Sequence, residues 1–395
     1  MRILPYTEDL EAAVRSFNQR LREKGETHWR FPESHKPQFP KLDNRVPYQE
    51  YFLAVHESVV RGGYLLTHNR FVLRGEEVAV ACGPHYNVSE GLVDRAYAMV
   101  GVILTQDAVR RQPLMYALGL GGLEEPLAKL LVAMGWVTVP VSFYFRVVSS
   151  TSFFRNVTYL RKDPGRRVAI DLLYYSGLGF LGVRLAQTRL RSVKNSKRAS
   201  VVDCFGTWAD EIWEKCRFRY SFIGMRDSSL LNAFYPPQHS HFIRLRVSIG
   251  SHDVGWAVVL DSQMHGHRQF GNMRVGSIVD CLAAPEDAVY VLHCATEFLQ
   301  RRGVAVVITN QVSSDWGSAL LANGYIKGPT NFILAMSPKL ADRLQPFKDH
   351  MAHIHMNRGD GGSPAVLPLL PTTLKTNSTS DTAQGTNQEL QSSTR

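Results

Sequence analysis
The chain has 395 residues, 44% of them hydrophobic and 20% charged, and a net charge of +10 from 45 basic and 35 acidic residues. That composition excludes a disordered chain and a multispanning membrane protein, and the length asks for two domains rather than one. Five cysteines, an odd number with no C-x-x-C pair, argue against a disulfide scaffold or zinc ribbon and for a reducing compartment. The start, MRILPYTEDLE, has no apolar leader, so the expected location is the cytoplasm.

The first half opens on strand-like MRILPY and a helix from Asp9 to about Lys24. Leu10, Val14, Phe17 and Leu21 share one face of that helix, and Gly25 stops it. A Pro-rich loop follows to about Pro47. Strands are expected over YFLAVHES, VVRGGYLLT and RFVLRGEEVAVACG, the last folded about an RGEE turn. From Gly91 to about Val109 the spacing of Leu92, Ala96, Val100 and Leu104 is helical. A buried strand (PLMYALGLG), a helix (EEPLAKLLVAMGW) and a closing strand (VTVPVSFYFRVV) complete the unit.

Between Arg155 and Arg198 eleven basic residues face only Asp163 and Asp171, so this segment holds +9 of the net charge. The apolar run inside it, VAIDLLYYSGLGFLGVRLAQ, is broken by a carboxylate and three glycines and is too short to span a bilayer. Two readings stand. The run packs between the domains as a connector, or it lies in the headgroup region of an anionic membrane, a peripheral place on the inner face. Nucleic acid is a third partner to consider, without a helix-turn-helix, RNP-like or zinc-finger pattern behind it.

The second half repeats the rhythm. TWADEIWEKCRFR is helical, HFIRLRVSIG and HDVGWAVVLDSQ form a hairpin about Gly250 and Ser251, and VGSIVDCLA is a central strand. PEDAVYVLHCATEFLQRRG is a helix starting at Pro285 and stopped by Gly303; strand VAVVITN, helix SSDWGSALLANGY and strand NFILAMS follow. The expected organisation is a mixed α/β unit at 1–150, a basic amphipathic connector at 151–199, a second unit at 200–340 and an extension at 341–395. The extension is rich in Gly, Ser, Thr, Asn and Gln, and disorder is expected from about Gly359.

LAKLLVAMGW (Leu127–Trp136) before VTVPVSFYFRV, and GSALLANGYI (Gly317–Ile326) before NFILAMS, resemble the last helix and closing strand of the GNAT-type N-acyltransferases. The helix at 286–302 and strand at 304–310 match the family's preceding pair. RDSSLLNAFY (Arg226–Tyr235) and HMNRGDGGSP (His355–Pro364) look like segments of double-domain GNAT proteins from bacteria, distantly like Fem-type aminoacyl transferases. The resemblance covers about 1–150 and 200–340. It implies two GNAT-like α/β domains in tandem, whose splayed central strands admit the pantetheine arm of acetyl-CoA or another acyl-CoA. It further implies that a turn at the start of the next helix holds the pyrophosphate and that a general base serves the acceptor.

The chain departs from the family pattern at three places. The R/Q-x-x-G-x-G/A turn is missing from both halves, Glu286 and Asp287 begin the second-half helix where phosphate would sit, and Leu131 and Leu320 stand where a tyrosine protonates the thiolate. In the first half CGPHYNVSEGLVD supplies Gly83, His85, Ser89 and Gly91 as candidate cofactor-binding residues. Candidate bases are Glu90, otherwise a capping acid after Ser89, and Asp280, otherwise a hydrogen-bonded strand residue. Arg226 and Asp227 are candidates for holding an acceptor or the domain interface. The histidine pairs His239/His241 and His265/His267 have no acidic or Cys partner at ligand spacing, so no metal is expected. The function implied is acyl transfer from acyl-CoA to an amine or hydroxyl of a small molecule or a glycan- or lipid-linked envelope precursor. Aminoacyl transfer from tRNA and a non-catalytic binding module at a membrane surface are the alternatives.

Overall fold
The computed structural model describes residues 1–26, 29–42, 46–158, 178–187, 197–330 and 332–361, with 161, 165, 167, 168, 172, 175 and 176. The side chains of 84–86, 178–180, 184, 186 and 197 are outside that description. The first half forms β1 (Arg2–Pro5), α1 (Glu11–Glu23), β2 (Tyr48–His56), β3 (Val59–Leu73), β4 (Glu76–Ser89), α2 (Val100–Arg111), β5 (Met115–Leu118), α3 (Pro126–Ala133), β6 (Val137–Pro140) and β7 (Ser142–Val147). Helices α4 (Ser150–Asn156) and α5 (Leu178–Gln187) lead to the second half. This contains β8 (Lys197–Val202), α6 (Thr207–Cys216), β9 (Phe222–Gly224), α7 (Ser228–Phe234), β10 (Ile243–Ile249), β11 (His252–Gln263), β12 (Arg274–Ala283), α8 (Ala288–Arg301), β13 (Val306–Gln311), α9 (Ser314–Ala322), β14 (Ile326–Gly328) and β15 (Ile333–Met336). Two short helices, α10 (Pro338–Arg343) and α11 (Phe347–Met351), and β16 (Ile354–His355) close the described chain.

Local chemistry accounts for most of these elements. In α1 the apolar face of Val14, Phe17 and Leu21 is fully buried, and in α8 Val291, Leu292, Ala295 and Leu299 do the same at helical spacing. Arg74 and Gly75 both take positive φ, the tight reversal that joins β3 to β4. The third and fourth expected strands merge into the single 15-residue β3 plus β4, because Thr67–Arg70 continue the ladder without a break.

The strands form two sheets. One runs β1-β2-β3-β4-β5-β15-β6, with β9 on the end of β3 and β16 on β9; the other runs β14-β7-β13-β12-β11-β10-β8. Each sheet therefore contains a strand from the opposite half. VTVPVSFYFRVV, expected as one closing strand, is cut at Pro140: β6 stays in the first sheet, while β7 pairs with β13 and β14 in the second. In return β15 lies antiparallel between β5 and β6, with Leu334 opposite both Leu118 and Val139. The strand exchange links the two lobes across the boundary expected at residue 150. In spatial terms one lobe is built on each sheet.

A buried charged cluster joins the lobes. Arg226 is 3% exposed; its Nε donates to Asp280 Oδ1 (3.2 Å), Nη1 to the Gly224 carbonyl (2.9 Å) and Nη2 to both Asp360 oxygens (2.9 and 2.8 Å). Asp280 also accepts from Tyr235 Oη (3.0 Å), Asn357 Nδ2 (2.8 Å) and the Cys281 amide (2.9 Å). Tyr116 of β5, in the first sheet, donates to the Asp360 carbonyl at 2.8 Å. The Gly359–Asp360 stretch, where disorder was expected to begin, is instead a buried turn closed by a capping box between Asn357 and Asp360. Residues 362–395 lie outside the described part of the chain.

Three outcomes follow from this construction. Because each sheet holds a strand of the other half, unfolding should be a single transition, with near- and far-UV circular dichroism superimposing; two separated steps would contradict the exchange. Arg226→Ala leaves two buried carboxylates without their cation and should lower unfolding free energy by about 3–5 kcal/mol in chemical denaturation. Burial pushes the Asp360 carboxyl up to about 6 from the usual 3.8, with Arg226 pulling it down less and Asp280 pushing it up. The native state then binds more protons than the unfolded one between those values. The Asp360 contribution is complete below pH 3.8 and is lost as pH rises through 6. Stability of wild type relative to Asp360→Asn should fall over that window, and a pH-independent difference would remove the assignment.

Candidate functional site
The parallel pair at the middle of the first lobe is joined for two residues only, Ala81 with Met115 and Cys82 with Tyr116. Beyond them β4 runs on from Gly83 to Ser89, paired among the described residues on one side only, with β3, while β5 ends at Leu118, still paired to β15. The strands part where β4 is bulged. Its register against β3 slips between Gly63 and Leu65 and again between Leu65 and Thr67, each time with an extra residue on β4. At about 3.3 Å per residue the unpaired edge of β4 is roughly 23 Å long, enough for an extended arm to lie along it. Asn87 on this stretch is turned to α2, donating to Thr105 at 2.9 Å.

The chain leaves β4 through two short turns, 90–92 and 95–97, before α2 begins at Val100 with no side-chain cap on Met99. The first-turn amides of α2 are therefore the open donors of an uncapped 12-residue helix. Glu90 is buried, and both of its oxygens are taken: Arg20 Nε donates to Oε1 (3.3 Å) and Arg61 Nη1 to Oε2 (2.9 Å). Arg61 also lies over the Tyr97 ring at 4.2 Å, and Lys24 pairs with Asp94 at 2.7 Å. Three cations, Arg20, Arg61 and Lys24, pair with two carboxylates at this corner, a local excess of positive charge, and Arg95 is exposed on the turn itself.

The second lobe repeats the geometry with a different outcome. β12 and β13 pair from Val275/Val306 to Ser277/Ile308 and then separate, at a bulge that leaves Val279 extra against β11. The gap is filled by the chain itself. Asn357 bridges Gln311 on the β12 side of β13, the Val312 amide donates to the Met356 carbonyl (3.1 Å), and Asn357 Nδ2 reaches Asp280. At Gly359 a Cβ would stand 2.4 Å from Tyr235 Oη and 2.8 Å from Asp280 Cβ, so only glycine fits. His355 is fully buried, edge-on to Tyr220 and Trp316, and burial pushes its imidazole well below the usual range, which keeps it neutral. The turn after β12 carries Glu286 and Asp287, with Arg219 holding Glu286 through both terminal nitrogens (3.2 and 3.1 Å).

The residues singled out in the sequence are thus distributed over two places. Gly83, Ser89, Glu90 and Gly91 belong to the first-lobe gap and its turn, with the His85 backbone in β4 and its side chain outside the described part. Gly83 is buried at the parting point. A Cβ on Gly91 would come 2.7 Å from the Tyr97 carbonyl, so its bareness lets the two short turns pack together. Asp280 belongs to the second-lobe gap and shares no partner with Glu90. Arg226, weighed in the sequence as an interface residue, is the centre of the junction. The two arginines on Glu90 carried no signal of their own: Arg20 is 70 residues away and Arg61 is 29. Among the described residues no cluster of three metal-ligating side chains forms, and no helix is long and apolar enough to cross a membrane.

No protein-family model and no curated protein matches the chain. Among solved structures it is similar to a conserved protein of unknown function from Enterococcus faecalis V583, described as a probable N-acyltransferase. That match has 8% identity over 85% of this chain and 71% of the other, with a TM-score of 0.46. It is similar to Saccharomyces cerevisiae N-myristoyltransferase with bound myristoyl-CoA at 11% identity, over 85% and 78% of the two chains, with a TM-score of 0.46. A GCN5-related N-acetyltransferase from Anabaena variabilis ATCC 29413 matches at 11% identity over 72% and 62%, with a TM-score of 0.44. On its own topology the chain is a mixed α/β protein of two lobes, each with the parted central strands that the sequence resemblance implies.

Proposed function
We propose that the chain is an acyl-CoA-dependent acyltransferase whose donor site is the first-lobe gap, acting on an amine or hydroxyl of a small molecule or envelope precursor. One observation carries this reading, the asymmetry between the gaps. The first is bordered by an unpaired strand edge and a turn with excess positive charge, the second by the chain's own residues and two carboxylates.

An extended pantetheine arm carries amides that can pair with the free edge of β4 as an added strand would. Its pyrophosphate then meets the open amides and positive pole of α2, close to the cations around Glu90. Acetyl-CoA or a longer acyl-CoA placed this way presents its thioester near the point where β4 and β5 part. The acceptor nitrogen or oxygen attacks the carbonyl carbon, the C–S bond breaks, and the acceptor's proton ends on the CoA sulfur. With Leu131 at the family's tyrosine position, water carries that proton in this reading. Glu90 and Asp280 act here as supports, one holding Arg20 and Arg61 around the turn, the other holding the tail in the second gap. A non-catalytic pair of lobes is the second reading, favoured by the commitment of both carboxylates to arginines.

Acetyl-CoA or a longer acyl-CoA should bind once per chain and raise the melting temperature, by about 2.7 kcal/mol of added stability at a hundredfold excess over Kd. Gly101 lies in the first turn of α2, where an added Cβ meets only Ser89 Oγ at 3.7 Å. Gly101→Asp places a carboxylate where the pyrophosphate is proposed to bind. It should weaken CoA binding about tenfold or more, while the dipole keeps the melting temperature of the free protein equal or higher. Absence of binding across a panel of acyl-CoAs would defeat the proposal, and unchanged binding by Gly101→Asp would defeat this placement of the phosphates.

A further inference from the structure
The arginines drawn into the second lobe are not treated alike. Arg226 has its two carboxylates, and buried Arg244 donates to the carbonyls of Tyr235, Pro236 and Phe242. Arg358 has neither. It is half-buried in the turn that fills the second gap, and its Nε is sealed from solvent. Its guanidinium makes no hydrogen bond and no ion pair among the described residues. Asp360, two residues on, has both oxygens on Arg226. Burial pushes the Arg358 guanidinium below the usual arginine range, and no carboxylate among the described residues offsets that cost.

The sheet gives Arg358 its neighbours. Gln311 and Asn357 form an antiparallel bridge, so Arg358 follows opposite Asn310. Asn310 shares a face of β13 with Val306 and Ile308, which pack in the cluster around Phe153 of α4. Met264 and Phe270, from the loop between β11 and β12, lie against that same cluster. His267 of this loop has its imidazole lowered by burial and then by Arg358, which places the guanidinium on this side of the sheet. Ser277, the last residue of β12 paired with β13, shares the face of Val275. Ser277 and Asn310 are 7% and 6% exposed and, like Arg358, make no side-chain hydrogen bond among the described residues.

A buried hydroxyl, amide and guanidinium left unbonded where two strands part are costly, and such groups call for a partner from outside the chain. Water would serve Ser277 and Asn310, but it brings no charge to the guanidinium. The planar fork of an arginine matches the paired oxygens of a carboxylate or phosphate. We infer that this face of the second gap binds a small molecule bearing a carboxylate or phosphate, with the oxyanion on Arg358 and further hydrogen bonds from Asn310 and Ser277. The site lies in the other lobe from the proposed donor gap and is independent of the transfer reaction, because its probes contain no CoA.

Thermal unfolding of the full chain in chloride buffer, with inorganic phosphate or acetate added at constant ionic strength, supplies the test. At least one of the two anions should raise the melting temperature saturably, and calorimetric titration should give one site per chain. The stronger of the two tells whether a phosphate or a carboxylate is the natural group. Arg358→Met should weaken that binding about tenfold or more. It should also leave the free protein melting at the same temperature or higher, since it removes an uncompensated charge. Asn310→Ala should weaken binding severalfold, and both variants should bind acyl-CoA as wild type does. The inference is overturned if neither anion acts beyond chloride, or if Arg358→Met keeps the full response. Loss of acyl-CoA binding in Arg358→Met would overturn it too, by assigning the arginine to the phosphates of CoA. The wild-type comparison with chloride decides the matter even where a variant fails to fold.

Discussion

Arg226 sets the terms for the rest of the molecule. A charged guanidinium with 3% exposure needs partners to offset the cost of its burial, and the two carboxylates that serve Arg226 come from distant parts of the chain. Asp280 sits on the central strand of the second lobe and Asp360 at the end of the described chain. Satisfying Arg226 therefore draws residues 354–360 into the space between β12 and β13. Burial raises the Asp360 carboxyl, the attraction of Arg226 pulls it down by less, and the second carboxylate, Asp280, adds to the rise. The additional donors on these oxygens, from Tyr235, Asn357 and two backbone amides, offset part of that cost.

The closure of one gap gives meaning to the openness of the other. Both lobes keep the same device, a bulged central strand diverging from its parallel neighbour, and differ in what stands at the divergence. In the first lobe Tyr116 donates to the Asp360 backbone, so the same turn that fills the second gap also rests against the residue where β4 and β5 part. The electrostatics follow the same division. Glu90 is enclosed by two arginines in the first lobe, whereas Glu286 and Asp287 open the corresponding helix in the second, with Arg219 on Glu286. An anion approaching the two turns meets opposite fields.

Much of this order was legible in the residues. Helical spacing in α1 and α8, the Gly250 hairpin, and Gly-plus-aromatic endings after α3 and α9 are local signals, set within a few residues of where they act. The two segments quoted for their likeness to double-domain proteins, Arg226–Tyr235 and His355–Pro364, turn out to meet at Asp280. What the sequence did not reveal is non-local. Phe143, Phe145 and Val147 alternate like any half-buried strand, and nothing in that alternation says which sheet they enter; only Pro140 marks the break. HMNRGD reads as polar loop because its burial depends on partners more than 70 residues away. Glu90 after Ser89 reads as a cap, yet Ser89 makes no capping bond and the acid serves two arginines instead.

The lobe whose gap is filled by its own chain completes the other lobe's sheet. β15 supplies the strand between β5 and β6; without it those two strands of the first sheet would each present an unpaired edge next to the gap. β9 continues the sheet beyond the end of β2 by pairing with Phe71–Leu73. The first lobe gives β7 in exchange, the only partner of β14 and the outer neighbour of β13 among the described residues. Filling the second gap leaves both sheets intact, whereas removal of either lobe would take from its neighbour the strand next to the sheet edge. The two lobes thus share one build and differ in what occupies the gap between their central strands.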